Sequence, residues 1–288
     1  MNLAGKNIKC IAFDLDHTVI NSDGTMSDAT RTVIEQAIAE GIEIIPVSGR
    51  AFATFPESIG QIKGISYAVT SNGAAIYNKK TGERIHGVAI EYADLHSILD
   101  AFAHYFHNGQ ITYEAFVDGV AYGGRAYVEH PEAFGVPERN VAYVQSTRKP
   151  VDDIIAFLSE HEEELDSLDI VVGDERTKAT LRRIISEQVT GIYLTSSVPT
   201  LLEISDEKAG KATALAFLAD YLQIPQEATV AFGNAENDID MICWAGIGVA
   251  VENSPEEVRR AADEITRTND ADGVARWIEK KHQAASHI

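Results

Sequence analysis

The chain has 288 residues, 45% of them hydrophobic and 24% charged, the make-up of one large folded domain or two moderate ones and not of a disordered chain. Its 24 Lys and Arg against 44 Asp and Glu leave a net charge of −20, which repels nucleic-acid phosphates and anionic membrane surfaces alike. No apolar run reaches the ~18 residues of a membrane helix, no signal peptide is read at the N-terminus, and the two cysteines, Cys10 and Cys243, fit a reducing cytoplasm better than a disulfide scaffold or a four-ligand zinc site.

Residues 9–15 form a short apolar run that reads as a buried strand delivering Asp14 at its C-terminal end. Ser27 then precedes a helical stripe of Val33, Ile34, Ala37 and Ile38, with Gly41 as the stop signal. Two more apolar runs follow, 42–47 ending in Ser48-Gly49-Arg50 and 67–70 ending in Ser71-Asn72-Gly73. Strands and helices alternating in this way, with polar strand ends, predict a parallel α/β sheet that binds ligands outside its carboxyl edge. The texture changes after about Thr81. A hairpin is expected over 111–127, an acidic amphipathic helix over 151–165, strands at 168–172 and 191–194, and a helix over 178–188 between them. Alternation resumes near Leu201, with a helix over 211–222, a strand at 229–232 ending in Gly233-Asn234, strands at 247–251 and 265–268, and a helix over 255–262. The expected organisation is a split α/β core, 1–82 and 200–288, carrying an inserted α+β unit at 83–199.

Four stretches carry chemistry, each at a strand end or helix start. Asp14 and Asp16 are paired carboxylates that need a cation or a shared proton. Together they suit a hard divalent ion, attack on phosphorus and proton transfer. Solvated strand-end acids in an Asx-turn would look the same. An EF-hand does not fit, because Val19 and Thr25 stand where its Gly and Glu belong. Ser48 with Gly49 is able to cradle a phosphoryl oxygen, or is an ordinary Ser-Gly turn. Lys211 opens a helix, where a positive charge is poorly placed unless an anion is near. Residues 233–238 set polar groups directly after a buried strand, as metal ligands or as a capped helix start.

In this order, Asp14-x-Asp16-x-Thr18, Ser48, Lys211 and Gly233-x-x-x-Asn237-Asp238 resemble the haloacid dehalogenase (HAD) phosphohydrolases. The insertion between Ser48 and Lys211 resembles their type IIB, Cof-type sugar phosphatase subgroup. So do residues 71–74, the stretch 202–204 with Lys211, Ala214 and Leu215, and the tail at 245–250 and 269–274. The resemblance implies a Rossmann-like core with an inserted cap, and Mg²⁺-dependent hydrolysis of a small phosphorylated metabolite, a sugar or polyol phosphate, through an aspartyl-phosphate. Asp14 would be nucleophile and metal ligand. Asp16 would be acid and base, with its carbonyl on the metal. Ser48, Gly49, Asn72 and Asn237 would hold phosphate, Lys211 would offset its charge, and Asn234 and Asp238 would stand at Mg²⁺. The sequence departs from the pattern twice: Asn234 replaces a metal-binding Asp, and His17 replaces a Gly. A sugar phosphomutase is the first alternative, and a catalytically weak phosphosugar-binding protein the second.

Overall fold

The computed structural model describes residues 2–3 and 6–285. Two compact units divide the chain: one comprises 1–49, 55–86 and 210–288, the other 50–54 and 87–209.

The first unit is built on a five-stranded parallel sheet. Its strands, in spatial order, are Glu264–Thr266, Ile247–Val251, Thr229–Gly233, Cys10–Phe13 and Glu43–Pro46. The central strands are buried along their whole length, as both faces of a parallel sheet must be. Alternate side chains serve opposite faces. Ile11 and Phe13 pack with Val33, Ile34, Phe232 and Trp277, whereas Cys10 and Ala12 pack with Ile45, Val69, Leu215 and Leu218. The first helix, Asp28–Ala39, starts where Ser27 accepts a hydrogen bond from the Thr30 N–H and ends before Gly41 at φ 79°. A further strand, Tyr67–Thr70, joins through a Val47–Val69 bridge and pairs antiparallel with Ala75–Asn78.

From Cys10–Phe13 the chain builds the sheet outward on one side, then returns at Thr229–Gly233 and builds it outward on the other. The strand order therefore reverses between these two neighbours, which is where such sheets open a crevice at their carboxyl edge.

The second unit holds a six-stranded sheet in the order Arg148–Val151, Val120–Gly124, Ile111–Val117, Leu165–Val172, Leu201–Asp206, Ile192–Thr195. One face carries Tyr113, Ile170, Leu202 and Ile204 against the helices Tyr92–His107 and Glu175–Gln188. The other face carries a row of directly opposed acids, Glu114, Asp169 and Glu203. Arg148 binds Glu114 through Nη2 at 2.7 Å, and Tyr127 donates its hydroxyl to the same carboxylate.

Several expectations shift. The strand Leu201–Asp206, expected to re-enter the core, pairs with Leu165–Val172 in the inserted sheet, so the unit edges fall at 86/87 and 209/210, not at 82/83 and 199/200. The helix expected over 151–165 is only Ile154–Glu160, because Asp153 caps it on one side and the Leu165–Val172 strand begins on the other. The expected hairpin ends at Gly124, where the helix Arg125–Glu129 starts.

Candidate active site

Register builds the site. Phe13 stands opposite both Phe232 and Pro46, so the residues that follow these three strands leave the sheet at one edge. The Asp14 N–H still donates to the Phe232 carbonyl at 2.9 Å, and the Val47 N–H to that of Phe13 at 2.9 Å. Asp14, Ser48 and Asn234 are thereby delivered together.

Lys211 reaches this edge from the start of the helix Lys211–Tyr221. Its ammonium is wholly buried between two carboxylates, 2.7 Å from Asp14 Oδ1 and 2.6 Å from Asp238 Oδ1. These are the anions its unfavourable place at a helix start calls for. Asp240 adds a third carboxylate, accepting the Ala212 N–H at 3.2 Å. Burial is the largest influence on the Lys211 ammonium and works against its charge, yet Asp14 and Asp238 hold its pKa above the ordinary lysine value. Burial pushes the Asp14 carboxyl from 3.8 up to about 7, against the pull of Lys211 and with help from Asp238 and Asp16.

Asp238 has both oxygens engaged. Oδ1 takes Lys211, and Oδ2 accepts the N–H groups of Asn234 at 2.8 Å and Ala235 at 3.0 Å. The sequence reading places Asp238 near the metal, and in the structure it also fixes Lys211 and the 234–235 backbone. Gly233 permits this, since a Cβ there would collide with Asp238.

Asp16 is half-buried, and the exposed His17 beside it sits at φ 60°. The Asn72 amide oxygen accepts a hydrogen bond from Asn237 Nδ2 at 2.9 Å, both residues being buried. The Asn237 Oδ1 atom, also buried, has no protein partner. Ser48 is buried, its carbonyl accepting the Asn72 N–H at 3.1 Å, and half-buried Gly49 follows. Ser71, Asn72 and Gly73 all adopt positive φ, at 50°, 53° and 96°. Gly73 is obligatory, because a Cβ would strike the Gly210 carbonyl just before Lys211. The sequence reading gave no separate role to Thr18, which is buried 2.9 Å from the Asn234 amide. Its place in the Asp14-x-Asp16-x-Thr18 run was the available signal.

Asp14 Oδ2 and the Asp16 carbonyl oxygen each lie within 3.2 Å of one terminal atom of the Asn234 amide. These are oxygen-bearing groups of low total charge, a set that fits a small hard cation keeping water and substrate phosphate as further ligands. Among the described residues, no cluster of three or more His, Cys, Asp or Glu side chains is placed to hold a metal.

The carboxyl edge of this open α/β sheet thus holds a buried lysine between two aspartates. The profile of the haloacid dehalogenase-like hydrolases matches residues 11–278, and the chain belongs to that family and is a phosphatase. Phosphatase YwpJ of Bacillus subtilis is 32% identical over 289 residues, covering 94% of this chain and 99% of YwpJ. The 5-amino-6-(5-phospho-D-ribitylamino)uracil phosphatase YcsE of the same organism is 28% identical over 272 residues, covering 94% and 95%. A solved subclass IIB sugar phosphatase of the HAD superfamily has the same fold, with a TM-score of 0.77 over 94% of this chain and 98% of its own, at 20% identity.

Proposed function

We propose that this phosphatase hydrolyses a small sugar or polyol phosphate, with Mg²⁺, through an aspartyl-phosphate on Asp14. The observation that carries the reading is the buried Lys211 bridge between Asp14 and Asp238, which holds one nucleophile oxygen and leaves a positive charge where phosphoryl oxygens gather. The polyol class is supported by the ribityl phosphate that YcsE is named for.

In the first step a carboxylate oxygen of Asp14 bonds to phosphorus as the bond to the leaving oxygen breaks. The Asp16 carboxyl gives that oxygen its proton. In the second step Asp16, now ionised, takes a proton from water as the water oxygen bonds to phosphorus and the P–O bond to Asp14 breaks, which frees its carboxylate. Ser48, the Gly49 N–H and Asn72 with Asn237 orient the phosphoryl group, and Lys211 offsets its charge. Asp14, the Asp16 carbonyl and Asn234 would hold Mg²⁺, with Asp238 keeping residues 234–235 in place. Bound there, Mg²⁺ would neutralise phosphoryl-oxygen charge.

A phosphomutase needs a second phosphate site in the inserted unit. Arg125, Arg148 and Arg183 in that unit are paired with carboxylates, its other basic residues are scattered, and a requirement for a bisphosphate activator would favour the mutase reading. Among the described residues no helix is long and apolar enough to cross a membrane, and the free Cys10 and Cys243 agree with a reducing cytoplasm. The test is a panel of phosphate esters assayed with Mg²⁺ and with EDTA. Sugar or polyol phosphates should be turned over with Mg²⁺ and not with EDTA. Full activity in EDTA, or none on any ester including p-nitrophenyl phosphate, contradicts the proposal.

A further inference from the structure

The Asn234 amide occupies an unusual place. One of its two terminal atoms lies 3.2 Å from Asp14 Oδ2, 3.0 Å from the Asp16 carbonyl oxygen and 2.9 Å from Thr18 Oγ1. The first two neighbours are acceptors only, so the network is satisfied with the amide nitrogen on that side. Asp14 is then held by both oxygens, Oδ1 by the Lys211 ammonium and Oδ2 by the Asn234 amide. The third neighbour is different in kind. The Thr18 hydroxyl accepts from the nitrogen in this orientation and donates to Oδ1 at the same 2.9 Å in the reverse one.

We propose that the Asn234 amide is a resident substitute for the cation. Its nitrogen ties the Asp14 carboxylate to the Asp16 carbonyl in the metal-free protein, and the ion enters as the amide turns its oxygen inward. The turn is a half rotation about one side-chain bond and needs no movement of the backbone, which Asp238 holds through the Asn234 and Ala235 N–H groups. Thr18 keeps a hydrogen bond in either orientation and so serves as the pivot. A carboxylate at 234 has no donor and would add charge beside Asp14, so it is unable to play this part. Asn234 is thus a positioning residue that keeps the nucleophile ordered without metal, at the expense of metal affinity. This rests on the phosphatase reading, because it concerns the cation of that same site.

The experiment compares the wild-type protein with Asn234→Asp and Asn234→Leu, the latter near in size, uncharged and without a donor. Thermal unfolding in EDTA, Mg²⁺ binding by calorimetry and the Asn234 side-chain amide resonance are measured for the full chain. In EDTA both variants should melt below wild type, because each loses the donor. Asn234→Asp should bind Mg²⁺ at least about tenfold tighter than wild type, since hard cations favour charged oxygen. Saturating Mg²⁺ should move the wild-type amide resonance. Equal melting of all three proteins in EDTA, a Mg²⁺ affinity of Asn234→Asp within twofold of wild type, or an unmoved resonance would each overturn the inference. Wild-type turnover of p-nitrophenyl phosphate at saturating Mg²⁺ separates the two failures. If turnover is absent the phosphatase reading falls with it; if turnover is present, only the substitute role falls.

Discussion

His17 holds a left-handed backbone, φ 60°, in the turn after Asp16, and the Asn253 side chain fixes its carbonyl at 2.9 Å. A residue with a Cβ pays roughly 1–2 kcal/mol there, which is why glycine suits the position. The imidazole itself is exposed. His17→Gly should therefore leave kcat within about twofold and hold or raise stability by up to ~1 kcal/mol, the relief of strain being partly offset by a freer unfolded chain. Denaturant unfolding checks this; a clear loss of stability would mean that the imidazole makes a stabilising contact. The identity of Asp14, Asp16, Lys211 and Asn234 as candidates was legible in the sequence because strand ends and helix starts punctuate it there. The orientation of the Asn234 amide was not, since it is set by atoms of Asp14, Asp16 and Thr18, more than 200 positions away along the chain.

The Ser71–Gly73 turn shows how an element carries the site. Gly73 presses against Gly210, the residue before Lys211, so the turn that positions Asn72 also positions the start of the lysine helix. Gly73→Ala would need both a positive φ and space that the Gly210 backbone fills. It should lower the melting temperature and reduce kcat together; an unchanged kcat in a folded variant would separate the turn from catalysis. In the inserted unit, burial raises Asp169 well above its ordinary 3.8, with Glu203 and Glu114 adding to the rise and Arg148 opposing it. A carboxyl raised in the folded state contributes stability below pH 3.8, and that contribution is lost as pH climbs through the folded value. Asp169→Asn should accordingly stabilise the protein by an amount that grows with pH. Melting curves at about pH 5 and pH 8 test the sign, and an advantage that shrinks with rising pH would refute it. This unit was also the least legible in sequence. The helix Tyr92–His107, rich in aromatic residues and histidine, gave no stripe clear enough to be expected. The acidic run Glu162–Glu164 read as the end of a helix but forms a turn between helix and strand. Strand partners such as Leu201–Asp206 depend on long-range pairing, which local patterns do not encode.

At the scale of the whole molecule, a net charge of −20 meets an anionic substrate. On the proposed mechanism the attraction would be local, from the buried Lys211, while the surface field repels. Raising ionic strength from about 0.01 to 0.15 M shortens the screening length from ~30 to ~8 Å and should raise kcat/KM modestly at fixed Mg²⁺. A fall would mean that positive charge near the site governs the approach. The α/β core was legible in outline because parallel strands are continuous apolar runs and their ends are polar. Convergence of Asp14, Lys211, Asn234 and Asp238 follows from parallel register across the chain's two distant halves, and only the assembled sheet displays it.

All of this turns on Asp14 as the nucleophile, and its replacement by asparagine is the most direct test. Asn keeps the shape and removes the charge that attacks phosphorus. With saturating Mg²⁺ and p-nitrophenyl phosphate, Asp14→Asn should lose at least ~10³-fold in kcat while remaining folded. A folded Asp14→Asn protein that turns over within tenfold of wild type would contradict the account.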